Sequence, residues 1–141
     1  MKKFLIVLVL PFILFGQSLK VGDTLSLNIE DQFEKNVTIG ADTKQLIIAS
    51  SKKVGEEVAK FIEKNPNYLN ENSAIYIMDV VKVPKLVMSM FMMPKFKKYN
   101  YSVGLVKDEK VAETLPKEEN SITIIKLQNL QIESIEFKKS L

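Results

Sequence analysis

Leu25, Leu27 and Ile29 alternate with polar residues, a polar turn spans residues 31–36, and Val37 and Ile39 resume the alternation, so the pattern predicts a leading hairpin. Residues 45–50, QLIIAS, form instead a compact apolar run of the kind that is buried on both faces of a sheet, which makes them a central strand. Val54, Val58, Phe61 and Ile62 then recur at i, i+4, i+7 and i+8, one face of a helix that Asn65 and Pro66 stop. AIYIMD, residues 74–79, reads as a second buried strand. Pro84 opens a second helix ending near Pro94 or Lys98, and residues 101–106 make a third strand. A segment rich in Lys and Glu leads to ITIIKL, the turn pair Gln128 and Asn129, and LQIESIEF. In this last strand Leu130 and Ile132 share one alternation phase and Ile135 and Phe137 the other, which requires a bulge near Glu133 or Ser134.

The order is therefore hairpin, strand, helix, strand, helix, strand, hairpin. Two right-handed crossovers place the middle strands parallel with helices on the faces, and the closing hairpin runs antiparallel at one edge. The fold class is mixed α/β.

Ahead of these elements, Lys2 and Lys3 precede an apolar run from Phe4 to Phe15, closed by the small residues Gly16 and Ser18. That is the layout of a secretion signal. The run is broken by Pro11 and is shorter than the roughly 20 apolar residues that span a bilayer, although an uncleaved anchor is the competing reading. Residues 1–18 are expected to be removed, leaving 19–141 as one domain in the periplasm or otherwise outside the cytoplasm. No cysteine follows the run to carry a lipid. With Lys2 and Lys3 gone, 18 lysines face 17 acidic residues, and no residue of the chain is an arginine. A nearly balanced surface without the guanidinium fork gives no reason to expect nucleic acid as a partner. The absence of cysteine leaves stability to burial alone, even for an exported domain.

The opening VGDTLSLNIEDQ, the strand QLIIAS running into a helix and the terminal ITIIKLQNLQIESIEF together resemble the exported thioredoxin-like family, in its thiol-disulfide oxidoreductase and peroxiredoxin-type branch. The resemblance covers residues 20–137. It implies a thioredoxin-like sheet, with a redox cysteine pair in the turn after the central strand, where the helix dipole stabilises a thiolate. Here that turn reads Ser50, Ser51, Lys52, Lys53, Val54, Gly55, so no nucleophile carries over. The family also places a cis-proline before the strand that opens the closing hairpin. This chain has Asn120 and Ser121 there, with Pro116 too early, which puts the family's substrate clamp in doubt.

Other chemistry is equally constrained. With no His and no Cys, thiolate and imidazole metal sites, Ser-His-Asp triads and Cys-His dyads cannot be built. Asp79 and Asp108 fall at the carboxyl ends of two predicted parallel strands, where open α/β sheets place ligands, but Asp also commonly caps turns where a strand exits. Ser50 and Lys53 satisfy S-x-x-K without the companion elements of the serine-lysine enzymes. No enzyme activity and no cofactor are expected.

The second helix, KLVMSMFMMP, gathers Met88, Met90, Met92 and Met93 within six positions. Methionine fills cores, lines adaptable binding faces and ligates Cu(I), and in an exported protein all three uses are open. Met88 and Met92 at i and i+4 would share a face. Because the helix is apolar nearly all round and only one side can meet the sheet, its outer side, with Met90, Phe91 and Met93, is the candidate partner face, for another protein, a lipid or a second copy. Lysines and aromatic residues interleave over residues 95–101, a pattern shared by single-strand nucleic-acid surfaces, by helix C-termini leading into strands and by faces that meet anionic headgroups. The expected function is a non-catalytic binding or accessory module, with methionine-based Cu(I) binding as the alternative.

Overall fold

The computed structural model describes residues 18–141. Apart from Ser18, the expected secretion signal lies outside the described residues. The elements are β1 (Glu30–Asp31), β2 (Gln45–Ala49), α1 (Lys52–Lys64), α2 (Tyr68–Glu71), β3 (Ala74–Asp79), α3 (Lys85–Val87), a π-helical segment (Met88–Met92), α4 (Met93–Phe96), β4 (Val103–Val106), α5 (Glu109–Thr114), β5 (Ile122–Gln128) and β6 (Gln131–Lys138). They form one mixed sheet of six strands in the order β1-β4-β3-β2-β5-β6. As the crossovers require, β2, β3 and β4 are parallel, and β5 and β6 add an antiparallel hairpin beside β2.

The central strands are apolar through their middle, from Leu46 to Ala49 and from Ala74 to Met78, because both faces are covered. On one face α1 and the helical stretch Lys85–Phe96 bury Ile47, Tyr76, Met78 and Leu105. On the other, the amino-terminal segment and α5 bury Leu46, Ile48, Ile77 and Ile125. At Gly104 of β4 the second face packs closely: a Cβ there would lie 2.8 Å from the Ile29 side chain.

Several local features differ from the sequence pattern. The leading hairpin has its turn, with the Asp31 N–H donating to the Lys35 carbonyl at 2.8 Å, but its returning arm is a single bridge from Glu30 to Asn36. Leu25 donates instead to the Leu130 carbonyl at 2.7 Å, tying this segment to the closing hairpin. In that hairpin the turn pair is Asn129 and Leu130, both at positive φ, one residue later than the pattern placed it. The bulge sits where the alternation breaks: Lys126 pairs with Ser134 and Leu127 with Ile132, leaving Glu133 as the extra residue.

The second helix runs through Pro94 to Phe96. Inside an α-helix proline lacks the N–H for its bond and its ring strikes the carbonyl four residues back. The turn before it widens, so that the Met93 N–H donates to the Met88 carbonyl and Pro94 is accommodated. Helix α5, which the sequence pattern did not suggest, is capped by the Asp108 carboxylate on the Lys110 N–H, and Ala112 and Leu115 anchor it.

One buried amide fixes how the helical stretch meets the sheet. Gln32 is 0% exposed; its Nε2 donates to the carbonyls of Phe96 at 3.1 Å and Tyr101 at 2.8 Å, and its Oε1 accepts from the Val103 N–H at 2.8 Å. Beside it the Asp31 carboxylate accepts from the N–H groups of Phe33 and Lys35 and from the Ser102 hydroxyl. Burial alone would raise its carboxyl, but the Lys35 and Phe33 N–H groups and the Ser102 hydroxyl outweigh that and hold it below its ordinary value. Gln32→Met keeps the volume and removes every polar partner at once. Because unpaired buried groups each carry a desolvation cost, it is expected to lower unfolding free energy by about 2–4 kcal/mol in urea titrations; a change within the scatter of surface substitutions would contradict the assignment.

Candidate functional site

The turn that leaves β2 is built as a helix start. The Ser51 Oγ accepts from the Val54 N–H at 3.2 Å, and the Gly55 N–H donates to the Ser51 carbonyl at 2.9 Å. Ser50 is half-buried while Lys53 is exposed. Gly55 lets α1 settle onto β3: a Cβ would meet the Met78 methyl at 2.7 Å, and the Tyr76 hydroxyl donates to the Gly55 carbonyl at 3.3 Å. Burial, with Tyr101 and Tyr99 nearby, pushes the Tyr76 hydroxyl well above its ordinary value.

The two carboxylates at the strand ends both have structural partners. Asp79 accepts from the Val81 N–H at 3.0 Å through Oδ1 and from the Lys117 ammonium at 2.8 Å through Oδ2. Asp108 caps α5. Each closes a local turn, Asp79 after β3 and Asp108 after β4.

Next to the start of α1 a pocket of about 270 Å³ opens against the helical stretch. Gly55, Met78, Met92 and Phe96 lie within it, with Val87 and Phe91 towards solvent. Lys52, Glu56 and Lys95 also line it, and Lys95 lies 3.6 Å from the Glu56 carboxylate in an exposed ion pair. The methionines are divided between environments. Met92 is 7% exposed and part of the core, Met88 and Met93 are half-buried against it, and Met90 is 58% exposed. The π-turn aligns Met88 with Met93 through a backbone bond. Leu86 at 67% and Phe91 at 66% join Met90 in an outward apolar ridge.

The aromatic residues that follow pack on one another. Tyr99 and Tyr101 stack with ring centroids 4.8 Å apart, Phe96 lies 5.9 Å from Tyr99, and Tyr76 lies 6.5 Å from Tyr101. Burial is the main cause that raises the hydroxyls of Tyr99 and Tyr101, helped by Glu56 and Glu63 beside Tyr99 and by Tyr99 and Glu63 beside Tyr101. One face of each of these two rings is occupied by the other.

No family model matches the chain, and no curated protein matches it. Among solved structures, the thioredoxin domain of a thiol-disulfide oxidoreductase from Bacteroides vulgatus matches with a TM-score of 0.57 at 12% identity, covering 86% of this chain and 91% of that one. A putative protein disulfide isomerase from Bacteroides thetaiotaomicron matches at 0.55 and 17% identity, over 89% of this chain and 83% of that one. A peroxiredoxin-like protein from Aquifex aeolicus matches at 0.55 and 14%, over 89% and 80%. The fold is thioredoxin-like. Without a cysteine anywhere in the sequence, thiol chemistry has no sulfur to start from, and the turn of Ser50–Gly55 serves as a helix cap.

The split of the methionines predicts unequal energetics. Met92→Ala, emptying core space, is expected to cost about 2–4 kcal/mol, and Met90→Ala to stay within about 0.5 kcal/mol, as exposed substitutions do. Paired urea titrations check this, and equal losses would place Met90 in the core.

Proposed function

We propose that this chain is an exported, non-catalytic thioredoxin-like module that works by contact, through the outward face of the helical stretch Lys85–Phe96. The observation that supports it is the ridge of Leu86, Met90 and Phe91. These side chains stay largely exposed on a helix whose other side, at Met92 and Phe96, is already packed on the sheet. Apolar side chains grouped on one exposed helix face are what a contact surface presents. Met93, which the sequence pattern placed on this outer face, is instead half-buried against the core. Export is supported by the charged and apolar layout of residues 2–15. Copper(I) binding by thioethers has less support, because it needs sulfurs that converge, and Met90 faces solvent while Met92 lies in the core.

The test is a photo-cross-linking amino acid placed at position 91 of the full chain in the cell that makes it, with position 136 on the exposed side of β6 as the control. The module reading predicts defined adducts from position 91 and none from 136. Equal adducts at both positions, or none at 91, would overturn it.

A further inference from the structure

Along the sequence, the charges of this chain are segregated around that same helix, although Glu56 and Glu63 of α1 lie near its end. From Asp79 to Asp108 there is no intervening carboxylate, yet Lys82, Lys85, Lys95, Lys97, Lys98 and Lys107 all fall in this interval. Over residues 18–141, where 18 lysines meet 17 acids, the remaining sequence is therefore net acidic. The arrangement along the helical stretch is ordered. Lys82 and Lys85 stand at its start, Lys95, Lys97 and Lys98 at its end, and all five are exposed. Between them, Ser89 is the one polar residue from Leu86 to Pro94.

We propose that the helical stretch Lys85–Phe96 lies flat on an anionic lipid surface, with Leu86, Met90 and Phe91 entering the headgroup and acyl boundary and the flanking lysines on the headgroups. This rests on the reading of that helix as the contact face and names what it contacts. An interfacial helix needs an apolar side, lysines able to reach the headgroups and no charge in the middle of its apolar side, and all three are present. Twelve residues extend about 18 Å, enough to lie along a membrane and far too short to cross it. Among the described residues no helix is long and apolar enough to span a bilayer.

Charge chooses among the occupants. A second copy docked about a two-fold axis would bring the same lysines against one another around the apolar ridge, which like charges oppose. Nucleic acid is a poor fit, because the centre of the patch is Leu86, Met90 and Phe91 while Tyr99 and Tyr101 stack on each other. An acidic protein would be recognised most specifically by arginine forks, and the chain has none; lysine acts as a point charge and suits a diffuse anionic surface. Lys95 lies 3.6 Å from the Glu56 carboxylate, which leaves Lys97 and Lys98 as the lysines at this end for the headgroups.

The experiment is co-sedimentation of the full chain with vesicles of phosphatidylcholine alone and of phosphatidylcholine mixed in equal parts with phosphatidylglycerol. Each variant is compared with the parent in the same form of the chain, which cancels any contribution of the amino-terminal residues. The parent is expected to bind the mixed vesicles, to bind phosphatidylcholine more weakly, and to lose affinity as salt is raised. A Met90→Ser, Phe91→Ser double variant is expected to bind at least about tenfold more weakly, because its membrane-entering area is gone. A Lys97→Gln, Lys98→Gln double variant is expected to lose most of the preference for phosphatidylglycerol. All four residues are exposed, and circular dichroism with thermal melts confirms that each variant folds. Failure of the parent to bind the mixed vesicles, or binding indifferent to both double variants, overturns the lipid inference. If it fails while position 91 still forms protein adducts, the contact face stands and its occupant is a protein; if position 91 yields neither protein nor lipid adducts, both readings fall.

Discussion

The arrangement of this fold depends on the hydrogen bonds of one amide. Gln32 lies on the loop after β1, yet its side chain reaches the last carbonyl of the helical stretch at Phe96, the carbonyl of Tyr101 and the first N–H of β4 at Val103. A helix that leaves a sheet must return to it, and the return here, residues 97–102, brings the Tyr101 carbonyl and the Val103 N–H against the buried Gln32 side chain. The amide satisfies those groups where a strand partner is missing, since β1 is only two residues long. Asp31 does the same for its own turn and for Ser102. With the helix end held in this way, Phe96 and Met92 are committed to the core, and the opposite side of the helix has nowhere to go but outward.

That outward side follows from geometry as much as from composition. A helix on the face of a sheet has one side to bury, and this one carries apolar residues on both. The π-turn that accommodates Pro94 also rotates the residues before it, so that Met88 and Met93 flank the core while Met90 and Phe91 stand clear of it. The turn for which the family resemblance implies a redox cysteine pair is here a serine-capped helix start, closed down by Gly55 against Met78 and Tyr76. What remains is a scaffold with a thioredoxin-like sheet and a surface helix with an exposed apolar side.

The sheet was largely legible in the residues. QLIIA and AIYIMD are apolar at consecutive positions because both of their faces are covered, and that is visible without coordinates. The phase break between Ile132 and Ile135 announced the extra residue at Glu133. What could not be read depends on distant partners. Gln32 looks like one more polar residue in a turn, and only the arrival of residues 96–103 gives it a role. Helix α5 is six residues long, with Val111 and Ala112 as its only apolar side chains, too few to set a period. The methionine cluster could be recognised as unusual, but the division of its members between core and solvent depends on the π-turn, and nothing in the spacing alone distinguishes that turn from a helix ending at Pro94. The charge segregation around the helix was in the sequence throughout; its meaning depends on knowing that Leu86, Met90 and Phe91 share the exposed side.

The sheet presents an apolar ridge between two groups of lysines. The most direct test of this arrangement is a backbone amide NMR titration of the chain with small bicelles containing phosphatidylglycerol. The account predicts that shift changes concentrate at Leu86, Met90, Phe91 and the lysines from Lys95 to Lys98, while the amides of β2, β3 and β5 stay in place. Changes spread through the sheet, or centred on any other surface, would contradict it.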